Sequence, residues 1–448
     1  MSFSTPIRTI GETETSVAFK RRFMIRMMLV LTGGQFLDGY ILGIVGPVTA
    51  KMTAGLGIST VWEGLIAAGA LFGILFGSPL GGWAADKFGR KPLFMLDMVL
   101  FLVSSAMQFF VSSPLELLIV RLLMGIAIGA EYSVGWPLMS EFAPPKLRGR
   151  LMGAAIVAWY TGFMVAFAAG YVFDEVFHWG WRSVLGTSTF IAAVLIVGRI
   201  GLPESPRWLW NQKRFEEAHA IAWRYMESKD IADIECESTS ACSARFRTLF
   251  SSQYWRATFF VSMFWFCAVT PYFAIATFAD SVLKKYNLDA GLRGGLGLSA
   301  VALAGVVITV LLIDKVGRRA LTVPTQWVCT IVLATIGLWA NAPAAAVLAL
   351  FLIFSFFNAG PTTLSAIYPS EVFPTEVRGI GTGFAAGFSR IGAGLGTFLL
   401  PWSMANIGAS GTMLIAAAIA AIGAGVSQWL APETKGKSLT ETAASYTH

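Results

Sequence analysis

Charge is scarce in this chain: only 13% of its 448 residues are Asp, Glu, Lys or Arg, against 55% that are hydrophobic. A water-soluble chain of this length has no use for so much apolar surface, so the solvent expected is lipid. Cysteine is scarce too. The four present (Cys236, Cys242, Cys267, Cys329) show no metal-ligand spacing and are expected as free thiols. No Gly-x-x-x-x-Gly-Lys-Ser phosphate loop occurs, which argues against an ATP-driven pump. No nucleophile–base pair or metal cluster falls in the apolar runs, so neither an enzyme nor a cofactor is expected. The first twenty residues are polar, contain acids and lack an apolar core. They read as a tail and not as a cleavable signal.

What the chain does have is apolar runs of spanning length, at about 27–50, 62–84, 92–112, 115–139, 151–173 and 182–201. After a polar stretch they resume at 256–280, 292–313, 320–340, 344–368, 379–402 and 409–430. Backbone groups in lipid must pair within their own segment, so these are expected to be twelve transmembrane helices of an all-α membrane protein. The formal net charge of +7 does not point to nucleic acid, because the cations sit in alternate connections. Arg8 to Arg26, Lys87 to Lys91, Lys146 to Arg150, Arg199 to Arg256, Lys315 to Arg319, Arg378, Lys435 and Lys437 lie on one side. The other side holds chiefly Lys51, Arg182, Lys284, Lys285 and Arg293. By the positive-inside rule both termini are cytoplasmic.

One stretch, Gly81-Gly82-Trp-Ala-Ala-Asp86-Lys87-Phe-Gly89-Arg90-Lys91, separates two apolar runs, and Ile313-Asp314-Lys315-Val-Gly317-Arg318-Arg319 repeats it 228 positions later. Glu141 to Arg148 recurs as Glu371 to Arg378, and Pro203-Glu204-Ser205-Pro206-Arg207 recurs as Pro432-Glu433-Thr434-Lys435. Three markers in register mean two copies of one unit. The expected division is a tail at 1–26, a six-helix bundle at 27–202, a linker with short helices at 203–255, a second bundle at 256–431 and a tail at 432–448. Glycines at helical spacing, Gly69-Gly73-Gly77-Gly81 and Gly383-Gly387, allow close helix packing, whether for sliding or simply for assembly.

The two signature copies and the Pro-Glu-Ser-Pro-Arg stretch resemble the major facilitator superfamily, in the branch holding sugar porters and metabolite–proton symporters. The resemblance covers residues 25 to 434. The second copy departs where Val310 stands in place of the first glycine. The resemblance implies two pseudo-symmetric six-helix bundles that move a small solute by alternating access. It also implies a cytoplasmic gate formed from Gly82, Asp86, Gly89, Arg90, Glu141, Arg148, Glu204, Arg207, Asp314, Arg318, Glu371 and Arg378. In that gate Asp86 and Asp314 would latch the halves.

An ionisable residue inside a spanning helix marks a site by default. Asp38, Asp97, Glu116, Arg121, Glu131 and Arg390 qualify, with Glu63, Asp174 and Asp280 nearer the ends. Asp97 and Glu116 read as structural or near the surface. In sugar porters and their relatives an acid of the first helix neighbours an arginine of the fourth, and Asp38 and Arg121 match those positions. The resemblance therefore implies Asp38 as proton carrier and Arg121 as its partner, the rival being a permanent pair for assembly. Glu131 and Arg390 are either substrate contacts or partners of each other. The acid after the helix-four glycines and the Ser-Arg-Ile-Gly of helix eleven look more like nicotinate and organic-ion transporters than hexose carriers. The Gln-rich motif that sugar porters carry in helix seven is absent. Gln35, Trp159, Tyr160, Trp265, Tyr272, Phe273 and Asn358, with Phe357, complete the expected lining, which suits an aromatic carboxylate. A sugar or polyol symporter, an efflux carrier and a non-transporting sensor are the alternatives. A monomer in a bacterial inner membrane is expected, with the lipid bilayer, a small solute and protons as its partners.

Overall fold

The computed structural model describes residues 17–142, 145–226, 246–286, 291–339, 341–373 and 377–435. Among them there is no strand. The helices are α1 (Val17–Gly43), α2 (Val45–Leu56), α3 (Thr60–Phe88), α4 (Arg90–Met107), α5 (Pro114–Phe142), α6 (Pro145–Tyr171), α7 (Trp181–Gly186) and α8 (Ser188–Arg199). Two short helices follow, α9 (Pro206–Asn211) and α10 (Phe215–Tyr225). The rest are α11 (Trp255–Thr277), α12 (Ala279–Lys285), α13 (Gly291–Val316), α14 (Arg318–Leu338), α15 (Ala344–Val372), α16 (Arg378–Asn406) and α17 (Gly408–Leu430). Among the described residues eleven spans are long and apolar enough to cross a membrane, two of them made of paired segments: Ala18–Leu56 and Trp181–Arg199. The other expected run is α4, whose 18 residues include Arg90, Lys91 and Asp97. The fold is the all-α, twelve-helix membrane architecture that the repeat implied.

Three expectations are corrected. The first helix starts at Val17 and not at 27, so residues 17–26 of the expected tail are helical. The reason is packing: Phe23 meets the rings of Tyr225 at 4.3 Å and Phe142 at 5.6 Å. The run at 182–201 breaks at Thr187, whose hydroxyl is spent on the Val184 carbonyl and Tyr40. Arg199, taken for a loop cation, is instead in the last turn of α8 and only 1% exposed. The expected loop at 227–243, with Cys236 and Cys242, lies outside the described residues; Cys267 and Cys329 are free and buried.

Within the first half α3 packs along α5, α1 along α6, and α4 against α5 and α8. In the second half α11 packs on α16, α14 on α17, and α13 on α15. The halves meet through α3 with α16 and α6 with α13. The first of these contacts tapers. At the end away from the basic loops, Gly64 has no room for a Cβ beneath the Phe398 carbonyl, and Gly394 lies against the Phe72 ring. Towards the basic loops, a Cβ on Gly387 would find only Leu75 at 3.9 Å, and one on Gly383 would find nothing within 4 Å. Along this seam the halves touch closely at one end and more loosely at the other, while on the second seam a Cβ on Gly153 would meet Val310 at 2.9 Å near the basic loops.

The two signature copies fold alike. Gly89 (φ 105°) and Gly317 (φ 103°) turn the chain between consecutive helices in a region that side chains rarely adopt. At each turn a carboxylate receives the start of the next helix. Glu204 accepts from the backbone N–H of Arg90 at 3.0 Å and Lys91 at 3.1 Å, and Glu433 from those of Arg318 at 3.0 Å and Arg319 at 3.1 Å. Partial burial alone would raise the Glu433 carboxyl. The four backbone N–H groups around it hold it below its ordinary value instead. A Cβ on Gly89 would lie 2.6 Å from Glu204 and one on Gly317 2.7 Å from Glu433. Gly89→Ala and Gly317→Ala should each cost roughly 1–3 kcal/mol, the scale of a side chain in a glycine-only region. Their melting temperatures should fall below that of Gly57→Ala, which sits at φ 60° with open space around it.

Candidate functional site

Among the described residues, the contacts found for the gate residues lie within each half. Asp86 is exposed, and it acts with Glu204 and Arg207 on the charge of Arg90, all within the first half. Gly82 is half-buried with Ser133 of α5 nearest to it. In the second half Arg318 binds Glu371 at 2.8 Å and Asp314 at 3.2 Å, and Thr434 donates to Glu371. The described latch contacts thus form one cluster in each half. The side chains of Glu141, Arg148 and Arg378 lie outside the described residues.

Deeper in the bundle the apolar helices enclose a set of charges. Arg199 of α8 donates through Nη1 to Asp97 of α4 at 2.8 Å and through Nη2 to Glu131 of α5 at 2.6 Å. All three side chains are excluded from solvent. The guanidinium stacks on the Phe94 ring, 3.5 Å from its centroid, and also reaches the Phe94 carbonyl. No pair of Glu131 with Arg390 is found among the described residues, and Asp97, expected as structural or near the surface, is buried inside the bundle. Glu116, at the start of α5, accepts from Ser112 and Ser113 as a local cap.

Asp38 is 0% exposed on α1. Its Oδ2 receives the amide of Gln35 at 3.4 Å, and its Oδ1 has no partner. The charges acting on it are Glu131, Arg199 and Arg390. Arg121 is not among them. That guanidinium, also 0% exposed, donates to the Ile41 carbonyl at 2.9 Å, while its Nε and Nη2 have no partner. Ile41 is three residues past Asp38, a rise of about 4.5 Å along the helix. The structure thus brings Arg121 within a turn of Asp38 without pairing them.

Arg390 of α16 comes from the other half. It is 7% exposed, lies 5.7 Å from the ring centroids of both Tyr132 and Phe273, and feels the charge of Asp38. No ion pair to it is found among the described residues, and its Nε is unpartnered. Aromatic residues of α6 and α11 close around this point. Trp159 meets Phe273 at 5.9 Å and Tyr160 meets Tyr272 at 5.7 Å, and the Tyr160 hydroxyl donates to Thr362 at 2.8 Å. Asn358 is buried with its amide nitrogen unpartnered, and Trp265, on α11 seven residues before Tyr272, is half-buried. Sequence reasoning missed Tyr132 and Arg199. The first directly follows Glu131; the second falls inside the expected helix 182–201, and that position should have outweighed its nearness to the loop.

A family model described as sugar (and other) transporter matches residues 15–446. The chain is 36% identical over 416 residues to the inner membrane metabolite transport protein YgcS of Escherichia coli K12, covering 92% of each. It is 35% identical over 420 residues to the putative metabolite transport protein YaaU of the same organism, covering 93% of this chain and 94% of that one. A solved structure of the proton:xylose symporter XylE bound to 6-bromo-6-deoxy-D-glucose superposes with a TM-score of 0.80 at 21% identity. It covers 96% of this chain and 100% of the other.

Proposed function

Because the chain belongs to the sugar (and other) transporter family, we propose that it carries a small organic anion together with protons by alternating access. The observation that carries this reading is Arg390, a buried guanidinium with no acid of its own, set between two rings on the seam of the halves. A desolvated arginine without a carboxylate is costly, and an anionic substrate would supply one.

Charge balance supports the proton. Among the described residues, the acids buried deep in the bundle are Asp38, Asp97 and Glu131, and the buried arginines are Arg121, Arg199 and Arg390. Three of each leave the empty site neutral. A carboxylate arriving at Arg390 adds a negative charge to a low-dielectric interior, which raises the proton affinity of the acids facing it. Binding of anion and proton then reinforce each other, and Asp38 is the acid that faces Arg390. Arg121, with two nitrogens unpartnered a turn away, is the group that Asp38 would turn to in another state. Bundles 27–202 and 256–431 would rock about the site, with the basic loops and the tails on the cytoplasmic side. The protein would act as a single chain in a bacterial inner membrane.

The second reading is sugar–proton symport, favoured by the sugar analogue in the XylE structure. A thermal-shift screen of purified protein against aromatic carboxylates, their amides, pentoses and hexoses separates the two. A ligand stabilises by mass action, about 2.7 kcal/mol at a hundred times its Kd. Carboxylates should raise the melting temperature; stabilisation by sugars alone would reverse the assignment. With a binder in hand, Asp38→Asn should lose uphill accumulation driven by a pH gradient in proteoliposomes yet keep exchange of labelled for unlabelled substrate. Accumulation that persists would remove Asp38 from the mechanism.

A further inference from the structure

The outer surface of the first half carries a groove that the transport site does not use. It runs between α1 and the end of α8, has a volume of about 370 Å³, and is lined by Arg22, Ile25, Arg26, Leu29, Val30 and Gly198. The five lining residues of α1 fall at i, i+3, i+4, i+7 and i+8, which gathers them on one face of the helix. Ile25 is 50% and Leu29 66% exposed, and Phe190, Val194 and Val197 of α8 are exposed as well. Apolar faces turned outward on a membrane-spanning bundle are where acyl chains lie.

Two cations stand at one end of this wall. Long side chains on a helix lean towards its N-terminus, and α1 begins at the end of the bundle with the basic loops. The stems of Arg22 and Arg26 can therefore cover apolar surface while their charges stay at headgroup level. Arg26 uses three of its five donors on the end of α8. Its Nε and Nη2 donate to the Gly198 carbonyl at 3.2 and 3.0 Å, and Nη2 also donates to the Ile200 carbonyl. The two donors of Nη1 are left over. Arg22 is exposed, and no hydrogen bond or ion pair to it is found among the described residues. No acid occurs on α1 before Asp38. The groove thus offers two cations to a phosphate and no carboxylate to the ammonium of a zwitterionic lipid. A free phosphate would leave the aliphatic wall unused.

We propose that this groove binds one anionic phospholipid, with its phosphate on Arg22 and Arg26 and an acyl chain along Ile25, Leu29 and Val30. Such a lipid braces the contact of α1 with the last turn of α8. Arg199 lies between the two residues whose carbonyls Arg26 holds, so the lipid also supports the helix end that carries the Asp97–Arg199–Glu131 cluster. The inference is independent of which solute the protein carries.

The test is native mass spectrometry of the full-length protein in detergent, titrated with phosphatidylglycerol or with phosphatidylcholine of the same acyl chains, alongside melting temperature. Phosphatidylglycerol should bind as one saturable copy, more tightly than phosphatidylcholine, and should raise the melting temperature. Arg22→Gln should weaken that binding about fivefold, which corresponds to about 1 kcal/mol for one basic residue at an anionic surface. Arg26→Gln should weaken it as well; should that variant fold poorly, Arg22→Gln decides alone. Arg21→Gln removes the same charge from α1 outside the groove and should leave the affinity unchanged. Glycerol 3-phosphate, which carries the anion without the chains, should not displace the lipid. Equal binding of the two lipids would overturn the role of charge. An equal loss in Arg21→Gln and Arg22→Gln would show a diffuse basic surface in place of a site. Displacement by glycerol 3-phosphate would assign the arginines to a soluble anion. Protein dimers that disappear in Arg22→Gln would make the groove a seam between two copies. Each of these four results rejects the proposal.

Discussion

Arg199→Met should unfold more readily than any other single replacement in the first half, with a loss of about 3–5 kcal/mol. The loss comes mainly from what is left behind. Asp97 and Glu131 are both excluded from solvent, and the arginine is the cation each of them binds. Without it, two carboxylates must either remain ionised in a medium of low dielectric or take up protons. Arg199→Lys should fall only partly short of the unmutated protein in stability but should not restore function. A lysine cannot serve two acids and a carbonyl from a flat fork, nor stack at 3.5 Å over Phe94. The informative comparison is the triple replacement Arg199→Met, Asp97→Leu, Glu131→Met. Swapping a whole buried ion cluster for apolar groups of similar volume is often neutral or stabilising. Melting in detergent should therefore recover in the triple variant. Transport should not recover if the cluster takes part in coupling. A triple variant that is both stable and fully active would show the cluster to be structural alone.

How far the chain could be read without coordinates differs between the fold and the site. The twelve spans were legible because lipid forces each backbone to satisfy itself, so an apolar run of about twenty residues has essentially one structure open to it. The two halves were legible because Asp86, Glu204 and Gly89 recur as Asp314, Glu433 and Gly317. The role of those motifs was less so. Glu204 was read as one of several gate charges; in the fold it receives the start of α4, an arrangement that needs the backbone direction of a helix over a hundred residues away. Arg199 was lost for a related reason. Counting cations by nearness to a loop works for side chains that reach the surface. It fails for one whose helix face turns inward onto Asp97 and Glu131, because a sequence gives spacing along a helix but not the rotation of that helix in its bundle. Asp38 and Arg121 illustrate the same limit more finely. Both are buried where expected, but which of three arginines serves Asp38 depends on about a turn of relative height.

Arg390→Lys should weaken binding of a carboxylate substrate by roughly 1–3 kcal/mol, the scale of a lost charge-assisted hydrogen bond, or about 5- to 150-fold in Kd. A guanidinium offers two parallel N–H donors to the two oxygens of a carboxylate and can stay flat against rings on either side. Arg390 has that setting, 5.7 Å from the centroids of Tyr132 and Phe273, with its Nε unpartnered. An ammonium on a flexible stem keeps the charge but loses the fork. The loss should be specific to the acid. The amide of the same compound should bind weakly to the unmutated protein and lose little more in Arg390→Lys, because it never engaged the fork. Glu131→Gln is the control: Glu131 binds Arg199 and not Arg390, so this variant should not distinguish acid from amide. Isothermal titration of both ligands into both variants reads the whole comparison. Equal losses for acid and amide in Arg390→Lys would reject carboxylate recognition and leave Arg390 as a charge that balances Asp38. A sugar–proton symporter would then be the better reading, since a neutral polyol needs Asp38 held in check but needs no cation of its own.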